Sequence, residues 1–164
     1  MMSVQYVVKA TAVALALIMA LPAAAQDKKP TQTAVTPTNA PKTAHRLVLQ
    51  VNGNDPAIMN LALNNAANVA QYYQDKGEKV DIEIVTFGPG LHMLRADTSP
   101  VKDRIKSMSE RIPSLSFMAC GNTQANMTKA ESKDVPLLTE AKVVPSGVVR
   151  VMELQEQGWS YVRP

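Results

Sequence analysis

Short apolar segments alternate with longer helical segments along most of this chain, and this alternation limits the folds it can adopt. Strands are predicted where apolar residues run together or recur with period two, at residues 46–51, 79–86, 115–119, 142–144 and 159–162. Strands that alternate with helices are joined by right-handed crossovers, which give a parallel sheet covered on both faces. We therefore expect an α/β fold.

The second predicted strand suggests how the five strands are arranged. Asp81 and Glu83 alternate with its apolar residues, whereas a central strand of a parallel sheet is apolar almost throughout. This strand is therefore expected at an edge. The prediction is a three-layer sandwich with a five-stranded, mainly parallel sheet in the flavodoxin-like order 2-1-3-4-5. In that order the switch point, where ligands of open parallel sheets bind, lies between strands one and three.

Capping residues and turns mark where the helices begin and end. Asp55 followed by Pro56 is typical of a helix N-terminus, and Gly77 is a plausible C-terminal stop. Further helices are predicted at residues 100–112, 123–132 and 145–157. A turn is expected over residues 87–90, before a short apolar segment.

The first part of the chain is predicted to lie outside this domain. Behind Lys9, residues 10–21 form an apolar run that ends in Pro22 and three alanines, the layout of a secretory signal peptide. The run is shorter than the roughly 20 residues of a membrane span, so no span is expected after cleavage. We predict a signal peptide at 1–25, a flexible Pro/Thr-rich tether at 26–45, a domain at 46–164 and a periplasmic location.

Charge and composition exclude several classes of function. The chain has 17 basic and 14 acidic residues, too nearly balanced for a nucleic-acid-binding surface. One cysteine and two histidines are too few for a structural zinc site or a disulfide framework. The Gly88-Pro89-Gly90 turn lacks the spacing of a phosphate-binding loop. We therefore expect no metal, no cofactor and no nucleic acid.

Cys120, the single cysteine, directly follows the third predicted strand and precedes a predicted helix. The free amides at a helix N-terminus lower the pKa of a thiol, and the resulting thiolate is suited to sulfur or disulfide exchange. Free cysteines also serve often as small buried apolar residues. A reactive role and a structural role both remain open for this residue.

Other candidate site residues lie in turns on the same rim of the predicted sheet. His92 could act on Cys120 as a base or orienting partner, although a surface or packing role is the simpler interpretation. The candidate binding residues are Asn52, Gly53, Asn54, Asp55, Gly88, Gly90, His92, Gly121, Asn122 and Thr123.

Four segments together resemble the DsrE/DsrF-like family, in an exported form. They are the strand followed by Asn-Asp-Pro, LALNNAANVAQYY, IEIVTFGPGLHML and SFMACGNT, and they occur in order across residues 46–164. The resemblance implies a compact α/β sandwich that assembles as a homotrimer or hexamer. It also implies a sulfur carrier or sulfurtransferase that holds a persulfide on the cysteine matched by Cys120.

The single thiol limits how such a carrier would work. No second cysteine in the chain could receive or resolve a persulfide, so the sulfane-sulfur donor and the acceptor thiol must be external. The alternative functions are a module that binds a small ligand beside a structural cysteine, and an oligomeric scaffold.

Overall fold

The computed structural model describes residues 45–164, which form five strands, four α-helices and one 3-10 helix. The predicted signal peptide and the tether up to residue 44 lie outside the described residues. The elements are β1 His45–Val51, α1 Pro56–Asp75, β2 Val80–Thr86, a 3-10 helix Gly88–Leu94, α2 Lys102–Arg111, β3 Leu115–Cys120, α3 Gly121–Glu131, β4 Ala141–Val144, α4 Gly147–Glu156 and β5 Ser160–Val162.

The sheet confirms the predicted fold class. All four strand pairs are parallel, and helices connect successive strands. The strands lie in the order β4-β3-β2-β1-β5, however, and not 2-1-3-4-5. The expected pairs β2–β1 and β3–β4 are present, but β2 lies between β1 and β3, and β5 pairs with β1. The expected switch point between β1 and β3 is therefore absent.

The prediction that β2 is an edge strand was wrong, because its carboxylates do not prevent burial. Asp81 is exposed near the start of the strand. Glu83 is buried, and its carboxylate accepts hydrogen bonds from Arg150 Nε at 3.0 Å and Nη2 at 2.5 Å. A buried charge needs such a partner. Arg150 belongs to α4, so the local pattern of β2 could not reveal it.

Local sequence signals place both ends of α1 and the C-terminal end of α4 as predicted, whereas α3 begins at Gly121, two residues earlier than expected. Asp55 has an extended backbone, and its Oδ1 accepts a hydrogen bond from the Ala57 amide at 2.8 Å, which caps α1. The chain leaves α1 and α4 through Gly77 and Gly158, whose φ angles of 64° and 83° favour glycine. These caps determine where the chain turns back toward the sheet.

The apolar core is divided between the two faces of the sheet. On one face, α1 and α2 pack Met59, Leu63, Ile105 and Met108 against residues of β1, β2 and β3. On the other face, α4 packs Val151 and Leu154 against Val48, Val85 and Met118. Helix α4 thus crosses the sheet from β4 at one edge to β5 at the other.

A buried arginine fixes the end of the 3-10 helix to the end of α3. Arg95 is 1% exposed, and its guanidinium donates to both carboxylate oxygens of Asp97, at 2.9 and 2.8 Å, and to Glu131. These hydrogen bonds lower the pKa of both carboxyl groups and raise the pKa of Arg95. The charged forms of all three side chains are therefore favoured.

Within residues 45–164, no helix combines the length and the apolar character that crossing a membrane would require.

Candidate functional site

Cys120 occupies the junction between a buried strand and the start of a helix. It is the last residue of β3 and the N-cap of α3, with φ −71° and ψ 113°. Its Sγ accepts a hydrogen bond from the Thr123 amide at 3.4 Å, as the side chain of a serine or threonine cap would. The residue is a free cysteine and only 4% exposed.

The pKa of the Cys120 thiol lies below its ordinary value. Burial raises the pKa, because a charged sulfur loses hydration. Hydrogen bonds from the Thr123 side chain and from the amides of Gly147, Thr123 and Asn122 act in the opposite direction and outweigh burial. The thiolate is thus stabilised by backbone and hydroxyl donors, without a basic side chain among these causes.

Thr123 connects the thiol to the end of β2. Its Oγ1 accepts a hydrogen bond from the Gly88 amide at 3.0 Å. A hydroxyl oxygen that accepts from an amide still has its own hydrogen to donate, here to the sulfur. Gly88 has a φ of 53°, which favours glycine at the turn that presents this amide. The adjacency of β2 and β3 brings the two segments together.

Gly147, the first residue of α4, is a site residue that the sequence prediction left out. A Cβ atom there would lie 2.9 Å from Phe87 Cδ1 and 3.2 Å from Cys120 Cβ. Glycine therefore allows the start of α4 to approach the thiol closely. The signal was present in the sequence, since the Ser146-Gly147 turn follows the strand that pairs with β3, where Val144 is the partner of Cys120.

Three of the predicted binding residues are grouped beside the thiol on the α3 side. Gly121, Asn122 and Thr123 form the first turn of α3. A Cβ on Gly121 would lie 3.2 Å from Val143 Cγ1, so α3 begins directly against β4. The Asn122 amide also donates to Pro145 O at 3.2 Å.

The predicted residues after β1 lie farther along the rim, because β2 separates β1 from β3. Asn52 is half-buried, and its carbonyl oxygen would lie 3.8 Å from a Cβ on Gly88. Gly90 packs closely on the end of β1, since a Cβ there would lie 2.2 Å from the Val51 carbonyl oxygen. Gly53 is half-buried and Asn54 is exposed.

Two other predicted side chains have partners away from the thiol. The Asp55 carboxylate caps α1, as described above. His92 Nδ1 is 3.1 Å from Thr98 Oγ1, and no hydrogen bond joins His92 to Cys120. The structure thus provides no base for Cys120 at His92, and the activation of the thiol comes from the surrounding donors.

Among residues 45–164, no group of three or more His, Cys, Asp or Glu side chains is arranged to hold a metal ion. The site consists of one thiol and the donors around it. Together, the fold and this site define a class: a parallel five-stranded α/β domain with one hydrogen-bonded cysteine at the carboxyl end of β3.

Comparison with known proteins supports the fold. No family model and no curated protein matches the chain. Among solved structures, the chain is similar to MTH1491 from Methanobacterium thermoautotrophicum, a protein described as being of unknown function. The two are 30% identical over 73% of this chain and 99% of that one, with a TM-score of 0.62. The chain belongs to the same family as MTH1491. This relationship does not assign a function to the chain, because the function of MTH1491 is itself unknown. The DsrE/DsrF-like resemblance stays a prediction.

Proposed function

We propose that this protein binds or transfers sulfur as a persulfide on Cys120. The observation that carries the proposal is the set of donors directed at one sulfur atom, which lowers the pKa of the Cys120 thiol despite its burial. A thiolate at neutral pH is the form that attacks sulfane sulfur. The resemblance of the cysteine segment to DsrE/DsrF-like sulfur carriers supports the same role.

The proposed chemistry is a pair of displacements at sulfur with no net oxidation. The Cys120 thiolate attacks the sulfane sulfur of a donor persulfide, R–S–S⁻, and R–S⁻ leaves with the electron pair of the broken S–S bond. An acceptor thiolate then attacks the outer sulfur of the Cys120 persulfide and releases the Cys120 thiolate. Because Cys120 is the only cysteine, both R–S⁻ and the acceptor belong to other molecules.

The burial of Cys120 favours small donors. With the residue 4% exposed and Phe87 and Gly147 packed beside it, a bulky reagent meets steric resistance. An inorganic polysulfide has no side groups to accommodate. We expect the amides that stabilise the thiolate to stabilise the negative outer sulfur of a persulfide as well.

Intact-mass spectrometry after exposure to polysulfide tests the proposal. The wild type should gain the mass of one or more sulfur atoms, which dithiothreitol then removes, whereas Cys120→Ser should gain none. Circular dichroism on both proteins confirms that the variant is folded. A wild type that gains no sulfur, or a variant that gains as much, would rule out the carrier role.

The proposed setting is the periplasm, after removal of residues 1–25. The support is the charged flank, apolar run and small-residue site at the N-terminus. Fractionation of expressing bacteria should place a species that begins at Gln26 in the periplasm. Full-length protein confined to the cytoplasm would contradict this setting and leave the chemistry of Cys120 to be judged separately.

A second candidate is a homo-oligomeric scaffold, a trimer or hexamer, in which the cysteine is structural. The observation that favours it is an exposed apolar surface on β4 and α4, formed by residues with 46–58% of their area exposed: Val143, Val148, Val149 and Met152. Clustered exposed apolar residues often mark protein–protein contacts.

The molar mass measured by light scattering during size-exclusion chromatography tests the oligomeric state. We expect the wild type to be oligomeric and the Val148→Glu/Met152→Glu variant to be monomeric, because buried carboxylates without partners oppose association. Leu61→Glu, on an exposed position of α1, is the matched control. A monomeric wild type, or an oligomeric double variant, would count against this surface as the contact. Cys120→Ser should leave assembly unchanged.

A further inference from the structure

A groove distinct from the Cys120 site runs between α1 and α2. Its volume is about 260 Å³. The lining residues recur three and four positions apart, so each helix contributes one face. They are Ala67, Ala70, Gln71 and Gln74 from α1, and Arg104, Met108, Arg111 and Ile112 from α2 and its C-cap.

The floor of the groove is apolar and its rim is polar. Ala67 and Ala70 are half-buried, and their small side chains leave the space between the helices open. Met108 is buried and Ile112 half-buried, so they continue the apolar floor from the α2 side. A short hydrocarbon chain in this space would lose contact with water along its length, which is favourable.

Arg104 is held over the groove by neutral partners. Its Nη1 donates to Asn60 Oδ1 at 2.8 Å and to Asn60 O at 3.3 Å, and its Nη2 donates to Asn64 Oδ1. A guanidinium has five N–H groups, so these bonds leave donors available. Because amide and carbonyl oxygens carry no full charge, they orient Arg104 without neutralising it.

Arg111 supplies a second positive charge toward the other end of the groove. Its Nε donates to Ser107 O at 3.2 Å, another neutral acceptor. Within residues 45–164, neither Arg104 nor Arg111 forms an ion pair with a carboxylate. The carboxylate of Asp75 accepts a hydrogen bond from Gln71 Nε2 at 2.7 Å and does not pair with either arginine.

We infer that this groove binds a small organic anion, of the short-chain carboxylate class. The carboxylate head would accept hydrogen bonds from Arg111, a pairing that guanidinium geometry favours, Arg104 would add a second positive charge, and the alkyl chain would lie on the apolar floor. The site is independent of Cys120 and goes beyond the proposed sulfur chemistry. Its size suits a ligand smaller than those of typical drug-binding pockets.

Titration of isotope-labelled protein with sodium hexanoate, followed by NMR, tests this site. Hexanoate should produce saturable shifts in the Ala67 and Ala70 methyl signals and in the Arg111 Nε–H signal. Hexylamine has a similar chain and the opposite charge, and should produce none at the same ionic strength. Arg111→Gln should weaken hexanoate binding by about tenfold, as expected for one lost charged hydrogen bond.

Lys106→Gln is the control, because it removes a charge from the same helix outside the groove lining. Ala70→Leu fills the floor and should abolish binding while circular dichroism shows an intact fold. The inference fails if the hexanoate shifts do not saturate, or if hexylamine reproduces them. It also fails if Arg111→Gln binds as well as Lys106→Gln, or if folded Ala70→Leu binds like the wild type.

Discussion

At the scale of single residues, Thr123 determines how acidic the Cys120 thiol is. It provides both an amide and a hydroxyl to the sulfur, and its hydroxyl oxygen accepts from the Gly88 amide. The backbone contribution is part of α3 and survives a change of side chain. The hydroxyl contribution depends on the side chain alone, so its effect can be measured separately.

Thr123→Val should raise the pKa of Cys120, because it removes the hydroxyl donor and keeps the shape of the side chain. A raised pKa leaves less thiolate at neutral pH, so alkylation by iodoacetamide should slow by about tenfold there, the equivalent of one charged hydrogen bond. At a pH above both pKa values the two rates should converge.

Thr123→Ser is the matched control for this experiment, since it retains the hydroxyl. Its profile of alkylation rate against pH should stay close to that of the wild type. Overlapping profiles for the valine variant and the wild type would mean that the hydroxyl does not act on the sulfur.

At the scale of elements, local patterns predicted the strands and helices but not the strand order. Apolar spacing and capping residues such as Asp55 and Gly77 act within a few positions of the chain, so the sequence reveals them directly. The order depends on partners far apart in sequence. Glu83 is compatible with a central strand only because Arg150 reaches it from α4. The position of the Ser146-Gly147 turn after β4 can be read from the sequence, but the contact of Gly147 with Cys120 depends on the pairing of β4 with β3.

Removing Arg150 should destabilise the domain, because it leaves the Glu83 carboxylate buried without its partner. We expect Arg150→Met to lower the free energy of unfolding by about 3 kcal/mol, measured by urea denaturation at pH 7. The double variant Glu83→Leu/Arg150→Met should recover most of this loss, since no buried charge remains. Equal stabilities of the single and double variants would contradict the importance of this pair.

The link between the 3-10 helix and α3 should make stability depend on acid pH. Hydrogen bonding to Arg95 holds the pKa of Asp97 and Glu131 below the usual carboxyl range in the folded state. Unfolded carboxyl groups titrate near pH 4, so the stabilisation is fully present above about that pH and is lost as the pH falls further.

Unfolding measured between neutral and acidic pH checks this dependence. Asp97→Asn should be less stable than the wild type at neutral pH, and the difference should shrink as the pH falls below about 4. Asp81→Asn, on an exposed carboxylate, is the control and should follow the wild type. A constant difference between Asp97→Asn and the wild type across the whole range would contradict the assigned role of Asp97.

At the scale of the whole molecule, α4 connects the Cys120 site to β5, the last strand to be added to the sheet. It begins at Gly147 beside Cys120, crosses the face formed by β1, β2 and β3, and leads to β5 beside β1. The same helix carries the apolar core residues Val151 and Leu154 on one side and exposed apolar residues on the other. A change at its first residue should therefore affect stability and thiol acidity together.

Gly147→Ala should show this coupling. The added methyl group would collide with Phe87 and Cys120, so we expect a loss of about 1–3 kcal/mol in the free energy of unfolding. The displaced amide should also raise the pKa of Cys120, seen as slower alkylation at neutral pH. Gly53→Ala is the matched control, since a Cβ there meets nothing within 4 Å. A Gly147→Ala variant that behaves like Gly53→Ala would contradict the coupling.

The position of β1 between β2 and β5 has a consequence for a newly synthesised chain. The first strand of the domain has one neighbour early, but its other edge stays unpaired until the last strand has been made. The Gly147 amide can also reach Cys120 only late in synthesis, since α4 immediately precedes β5. A nascent or truncated chain that lacks α4 would therefore hold Cys120 without the Gly147 hydrogen bond, and the pKa of its thiol would be higher than in the complete domain. The pKa of the sulfur nucleophile is therefore expected to reach its lowest value only once α4 has packed on the sheet.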